Sequence, residues 1–533
     1  MDEEYASRNF DHLGIVSVIC DEIGLQQRVD ALMPADSQMA ISFGECLKLM
    51  IINGLGFTSR PLYLEAQFFE SRPVQRFLGR DCGAEINDDR LGRALDRFYD
   101  FGCDHLFSTL ASQAAVRYGI CQKFRHCDST SMTVEGEYES EEESPLITFG
   151  YSKDNRPDLK QFMIYLMSSQ DGDVPLLAQT VAGNSSDKKL FRENLRALKE
   201  QIKEGDHCYF VADSALYTAE TIKEISSYMK WITRVPERIT EANHLARSKQ
   251  EMQEIAPGYL VSEVFSKYGG IEQRWLLVSS QHAKEREEKT LKKQIAKELK
   301  KKQVELNKYF IQDFDCEEDS KKSLERWAKS LKYCKLTDIE ILSKNYKEGK
   351  GRPRSDEVVE KRYRIKATLV TNEEKIAKAM DTKGKFIIAT NELDLKKLTS
   401  KEMLSNYKEQ QSVERGFRFL KDPFFMTSSV FLKKQERIVA LGMIMCLCLL
   451  VYTIAQRFMR KKLESLSATI PSQTGKPTRK PTMRWIFQIF EGVHLLLKRG
   501  VSGIEEKVLN LHHTRMHILM ILGPPFEKIY SRR

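Results

Sequence analysis

The sequence predicts an α/β protein built on a mixed sheet, with helical segments before and after it. Three observations carry this expectation. Apolar residues recur at three- and four-residue steps up to about residue 122. From Lys123 the pattern changes to short apolar and β-branched runs. Three such runs are followed by an alternation of helix and strand, the plan of a mixed sheet covered by helices.

The first segment, 1–122, reads as helical. "GIVSVICDEIGLQQRVDALM" and "FGECLKLMIINGLGF" have helical spacing, and a further stretch follows in "DRLGRALDRFYDFGCDHLFSTLASQAAVRYG". Such a segment serves either to pack on the rest of the protein or to bind DNA ends and dimerise. Segment 123–235 opens with "FRHCDSTSMTV", "QFMIYLMSS" and "PLLAQTVAG" as three strands. "KKLFRENLRALKEQIK" follows as a helix, then "HCYFVAD" as a strand, "TAETIKEISSYM" as a helix and "KWITRV" as a fifth strand.

Segment 236–384 interrupts the alternation. It holds strand-like pieces, "GYLVSEVFSKYGGIEQRWLLVSS" and "RYRIKATLV", around the charged helical run "KEREEKTLKKQIAKELKKKQVELNKYF". That run is either a solvated helix face or an arm that tracks phosphates. "GKGRPR", Gly349 to Arg354, is a basic turn with Arg352 and Arg354 that resembles a minor-groove AT-hook core; a plain Gly/Pro loop is the other reading. Segment 385–460 resumes with the strand "KFIIATNE", the helix "YKEQQSVERGFRFLKDP" and an apolar helix. Segment 461–533 contains the polar linker "SLSATIPSQTGKPTRKPT", a helix over "RWIFQIFEGVHLLLKRG" and a short tail.

Composition narrows the class. With 533 residues, 41% hydrophobic and 30% charged, the chain has the makings of several packed domains rather than of a disordered polymer. Lys and Arg number 84 against 75 Asp and Glu, and the local clustering of the excess points to a polyanionic partner. The 11 cysteines include no CxxC pair, so they read as reduced thiols of a cytosolic protein. The N-terminus is acidic and lacks a signal-peptide core. One stretch, Ile438 to Ile454, reaches the lower length limit of a membrane span, and the expectation is a helix buried in a large core.

Three acids occupy informative places. Asp128 lies within the first strand of the sheet, Asp213 ends "HCYFVAD", and Glu414 lies in the helix after "KFIIATNE". Strand ends of such a sheet deliver side chains to a shared crevice, and a helix laid over it brings a third. Taken singly each has an ordinary use. Asp213 suits a turn or N-cap, Asp128 an Asx turn, and Glu414 an ion pair with Arg418. On a continuous helix, however, Tyr407, Gln410, Glu414 and Lys421 fall within roughly 60° of arc, beside an apolar stripe of Val413, Phe417 and Leu420. Three carboxylates gathered in one place repel unless cations are present, and oxygen ligands favour Mg²⁺ or Mn²⁺.

With these residues the chain resembles a bacterial insertion-sequence transposase of the DDE group, with an RNase H-like core and a Y-R-E-K signature. The signature is Tyr, two residues, Arg, three residues, Glu, six residues, Lys, and here it falls on Tyr407, Gln410, Glu414 and Lys421. Gln410 stands in the arginine position; it hydrogen-bonds but carries no charge. The two aspartates fall on Asp128 in "HCDSTS" and Asp213 in "VADSALYT", and "GYSKDNRPDLKQ" and "AGNSSD" resemble further blocks. The resemblance implies a catalytic and metal-binding triad of Asp128, Asp213 and Glu414 holding two Mg²⁺ or Mn²⁺ ions. It implies DNA contacts from Tyr407, Gln410, Arg418 and Lys421, to which the basic turn adds Arg352 and Arg354. An insertion domain would fill the long interval between Asp213 and Glu414. The implied partners are double-stranded DNA, as terminal inverted repeats and target, and further copies of the chain in a dimer or larger synapse. The implied place of action is the cytoplasm, at the nucleoid.

Overall fold

The computed structural model describes the chain except residues 1–3, 37–38, 58–63, 139–144, 155, 186–207, 347–359, 423–433, 501–502 and 532–533. The helix expected over "KKLFRENLRALKEQIK" and the turn with Arg352 and Arg354 lie outside the described residues. The chain divides into two compact units. The first comprises 1–233, 269–271 and 402–533; the second comprises 234–268 and 272–401. The second unit thus interrupts the first in sequence.

The first unit opens with strand β1 (Glu4–Asn9), where the sequence pattern led us to expect only helix. Helices α1 (Leu13–Ile23), α2 (Leu25–Leu32), α3 (Phe43–Gly54), α4 (Glu65–Glu70), α5 (Val74–Leu78), α6 (Asp88–Phe101) and α7 (Cys103–Arg117) follow. Ser42 and Glu45 form a reciprocal capping box that starts α3. Gly102, with φ +99°, breaks what read as one helical stretch into α6 and α7.

The sheet of this unit contains β2 (Phe124–Val134), β3 (Lys160–Ser169), β4 (Pro175–Ala182), β5 (Tyr209–Ala212) and, after helix α8 (Ala219–Ile225), β6 (Lys230–Arg234). Their order is β4-β3-β2-β5-β6. β3 runs antiparallel to both of its neighbours, β2 and β4, while β5 runs parallel to β2 and β6 parallel to β5. This is the mixed sheet expected of an RNase H-like core. Trp231 of β6 is fully buried.

The second unit contains α9 (Thr240–Arg247), β7 (Gln253–Ala256), β8 (Tyr259–Tyr268), β9 (Ile271–Ser280), α10 (Gln281–Tyr309), α11 (Glu317–Ala328), β10 (Cys334–Tyr346), β11 (Glu360–Thr371), α12 (Glu373–Met380) and β12 (Lys385–Thr390). Strands β12, β9, β8 and β7 neighbour one another in that order, and β10 and β11 form a separate antiparallel ribbon. A small core of Leu306, Phe314, Leu324, Leu331, Cys334, Ile365 and Leu369 lies where α10 and α11 cover this ribbon.

The chain returns with α13 (Ser400–Lys408), α14 (Gln411–Leu420) and α15 (Gln435–Ser465). Here the structure corrects the sequence reading. The helix expected to run through "YKEQQSVERGFRFLKDP" is interrupted at Glu409–Gln410. The Gln410 N–H bonds the Tyr407 carbonyl and the Val413 N–H bonds the Gln410 carbonyl, each a three-residue step. The physical reason is the polar run Lys408, Glu409 and Gln410, which gives the core nothing to hold, whereas Met403 and Leu404 on one side and Val413, Phe417 and Leu420 on the other are buried.

Helix α15 is the apolar segment read as a possible span. It is long and apolar enough to cross a membrane, and 83% of its most apolar window is buried inside the protein. It packs against α1, α3, α6, α7 and β4, so the N-terminal helices share its core. Gly442 admits the close approach of Thr180 from β4.

A short hairpin, β13 (Ile470–Pro471) and β14 (Pro477–Thr478), precedes α16 (Met483–Ile489), β15 (His494–Gly500) and β16 (Gly503–Leu509). Helices α17 (His513–Leu522) and α18 (Pro524–Ile529) close the chain. The single helix expected over "RWIFQIFEGVHLLLKRG" is therefore only half right. Gly492, with φ +79°, turns the chain, and "HLLLKRG" pairs as the central strand between β1 and β16.

Candidate active site

β2 and β5 set the positions of the two aspartates. Phe124, Arg125 and His126 pair in parallel with Tyr209, Phe210 and Val211. Extended by two residues, that register would put Asp213, just past the end of β5, level with Asp128. Parallel neighbours lie about 4.8 Å apart, so a common register brings like-facing side chains together.

Helix α14 lies over the same face. Asp128 is the cross-strand partner of Leu166, and such partners point the same way. Gly416 of α14 sits above Leu166: a Cβ there would stand 3.4 Å from the Leu166 side chain and 3.1 Å from that of Leu449. The missing side chain lets the helix approach the sheet. His126, two residues before Asp128, confirms the side. It is fully buried, and burial followed by the nearby Arg415 cation of α14 lowers its pKa to about 4.

Each acid has its own surroundings. Asp128 is partly buried; its Oδ1 accepts the Ser129 N–H at 2.7 Å and lies 3.8 Å from Lys153 Nζ. Lys153 also donates to the Ser129 carbonyl at 2.6 Å and to Ser129 Oγ at 3.0 Å. Asp213 is exposed, and its Oδ1 accepts the Ala215 N–H at 2.9 Å, the turn bond that its place before a helix suggested. Its carbonyl accepts Thr233 Oγ1 at 2.6 Å, which ties the end of β5 to β6. Glu414 is exposed and forms no ion pair with Arg418 among the described residues.

The remaining candidates divide between two helices. Tyr407 lies on α13 and Gln410 at the turn, so the single face expected for four side chains is split. Glu414 and Arg418 remain together on α14, and Lys421 closes it, at the i, i+4 and i+7 positions of one face. Lys421 Nζ holds both oxygens of Asp154 at 2.7 Å. Arg156, one of the block residues, forms a local pair with Asp158 at 2.7 Å.

Sequence reasoning missed Lys153. Its block, "GYSKDNRPDLKQ", was visible, but nothing in the spacing showed that the lysine returns to β2. In the folded chain Lys153 reaches Asp128 and its neighbour Asp154 reaches Lys421, so two consecutive residues of one loop join the aspartate strand to the end of the glutamate helix. Arg415 was also missed; it pairs with Asp173 at 2.8 Å and fixes α14 to the turn between β3 and β4.

The donor chemistry suits a hard divalent cation, since the three candidate ligands offer only carboxylate oxygen. Among the described residues, however, no three His, Cys, Asp or Glu side chains converge closely enough to hold an ion. Glu414 is exposed on the helix that lies over the β2–β3 face.

Residues 121–451 match the family model of the transposase DDE domain. The chain belongs to that transposase family. All three candidate acids of this transposase fall inside the matched region. Residues 5–112, covering β1 and most of the N-terminal helices, match a domain of unknown function, DUF4277. No curated protein matches the transposase chain. A piggyBac transposase synaptic complex with hairpin DNA is similar in structure at 10% sequence identity, over 92% of this chain and 82% of that one, with a TM-score of 0.37.

Proposed function

We propose that this transposase cuts the ends of its own DNA element and joins them to target DNA by metal-dependent phosphoryl transfer, with Asp128, Asp213 and Glu414 as its acidic triad. The observation that carries this reading is the parallel register of β2 and β5 together with the seating of α14 above Leu166, the partner of Asp128. Two Mg²⁺ or Mn²⁺ ions held by the three carboxylates would activate a water or 3′-hydroxyl and stabilise the leaving oxygen.

The chain's own residues do the positioning. The Ser129 N–H orients the Asp128 carboxylate, and Lys153 offsets part of its charge. The Thr233 hydroxyl holds the backbone of Asp213. Glu414 completes the set by a side-chain movement from the edge of α14. Arg418 and Lys421, on the same helix face, contact phosphate oxygens, and Lys421 exchanges Asp154 for a phosphate as DNA enters. Tyr407 and Gln410 contribute neutral contacts to the same strand, and Arg352 and Arg354 reach DNA from the second unit. The substrates are the element's terminal inverted repeats and the target duplex, held by a dimer or larger synapse.

The test uses the full chain and a duplex bearing one end of the element. Cleavage is expected in Mg²⁺ or Mn²⁺ and absent in EDTA. Asp213→Ala should lower cleavage by orders of magnitude while end binding persists. Cleavage at the wild-type rate in Asp213→Ala would remove the triad assignment. End binding by wild type without cleavage in either metal would favour a DNA-binding protein derived from such an enzyme.

A further inference from the structure

Helix α10 segregates its charges. At 100° per residue, Arg286, Lys289, Lys293, Lys297 and Lys300 fall within an arc of about 80°, and no Asp or Glu falls inside it. All five are exposed, and none of their side chains forms a hydrogen bond or ion pair among the described residues. They follow one line along the helix for about 21 Å, at steps of about 4.5–6 Å.

Three of the five glutamates of the same helix are used elsewhere. Glu287 accepts the Gly384 N–H at 3.1 Å, and Glu298 accepts the Lys332 and Tyr333 N–H groups at 2.7 and 3.2 Å. Glu305 accepts Lys302 Nζ at 2.7 Å and Trp327 Nε1 at 3.2 Å. These three hold the helix to its own unit. Glu285 borders the stripe and accepts Gln281 Nε2 at 2.8 Å.

A surface helix that serves only to dissolve the protein gains by alternating acids and bases at i,i+4. Here like charges repeat at three- and four-residue steps, an arrangement that repels itself and is relieved by a polyanion. The stripe carries no Phe, Tyr or Trp for stacking exposed bases, which separates it from a single-strand platform. Point-charge lysines at regular intervals suit phosphates and read no sequence.

We infer that this face of α10 binds the phosphate backbone of double-stranded DNA of arbitrary sequence. The inference rests on the reading of the chain as an enzyme of DNA, and extends it with a contact surface in the second unit.

The test compares wild type with a variant carrying Lys289→Gln, Lys293→Gln, Lys297→Gln and Lys300→Gln. Glutamine has nearly the helix propensity of lysine, so α10 is expected to persist, which circular dichroism checks. Binding to a random-sequence duplex is measured across salt concentrations. Four lost phosphate contacts should reduce the slope of log K against log salt by about 3–4. The double variant Lys289→Gln/Lys293→Gln should lose about half of that, and keeps the test valid if the fourfold variant misfolds. The fourfold Lys→Arg variant should bind as wild type. An unchanged slope and affinity in a folded glutamine variant overturns the inference alone, provided wild type binds and cleaves end DNA. A loss confined to single-stranded nucleic acid overturns the duplex assignment. Wild type that neither binds nor cleaves DNA overturns this inference and the proposed function together.

Discussion

His12 shows how one residue links the core to pH. Its Nε2–H donates to the Leu55 carbonyl at 2.9 Å, and its ring stacks on Phe487 at 4.1 Å between centroids. Nδ1 is buried without a partner among the described residues, so protonation would place a charge in an apolar site. Burial lowers its pKa to about 4, against the pull of the Leu55 bond and with a further push from Arg72. The unfolded chain takes up the proton near 6.5 and the folded chain resists it. The contribution is therefore complete above pH 6.5 and is lost as pH falls from 6.5 toward 4. A shift of this size is worth about 3 kcal/mol across that window. Unfolding by denaturant should show stability falling over that range, and His12→Gln should flatten the fall; an equal acid loss in both proteins would exclude His12 as the cause. Nothing in the sequence marked this histidine, because its neighbours Leu55 and Phe487 lie far away in the chain. Asp128 and Asp213 could be singled out as candidates because each ends or punctuates an apolar run. Lys153 was not, because its partner is reached only through the fold.

At the scale of elements, Arg457 is the fastening between the buried helix and the sheet. It is 6% exposed, on α15. Its Nε donates to Asp171 Oδ1 at 2.7 Å, and its Nη atoms donate to the carbonyls of Tyr118 and Gly119 at 2.9 and 3.0 Å. One guanidinium thus joins α15 to the β3–β4 turn and to the end of α7. Gly172, in that turn, permits the contact, since a Cβ there would lie 2.7 Å from Arg457 Cδ. Arg457→Met keeps the packing of the stem but leaves two carbonyls without their donor and Asp171 with the Cys121 N–H and the more distant Lys461. It should cost about 2–3 kcal/mol, less than a wholly buried pair would lose, because Asp171 reaches water. A loss below a few tenths in urea unfolding would show the pair to be dispensable. Elements with one buried face were readable in advance, and "FRHCDSTSMTV" coincides with β2. Strand β10 was missed because charged residues recur along it, with Ile339 and Leu342 more than half exposed, so the pattern lacked a buried face to detect. The turn at Glu409–Gln410 was missed for a related reason: helical spacing continues through it, while the loss of core contact appears only in three dimensions.

For the whole molecule, each of the two compact units holds a core of its own among the described residues, and the consequence is two cooperative units. The first core gathers α15, the N-terminal helices and the inner faces of β2, β3 and β4, from residues hundreds of positions apart. The second gathers α10, α11 and the β10–β11 ribbon within one continuous stretch of chain. The interruption was readable from the changed pattern after 235, whereas the joining of the N-terminal helices to α15 was not, since both are simply apolar helices in sequence. Units with separate cores unfold as separate transitions unless their interface couples them strongly. Calorimetry should therefore resolve two transitions. Ile365, 1% exposed, belongs to the second core, and Leu447, fully buried on α15, to the first. Truncating either to alanine leaves a cavity and costs about 2–5 kcal/mol. Ile365→Ala should lower one transition and Leu447→Ala the other. A single transition displaced by both substitutions would mean that the two cores melt as one, and with it the second unit would lose its standing as an independently folded carrier of the basic helix face.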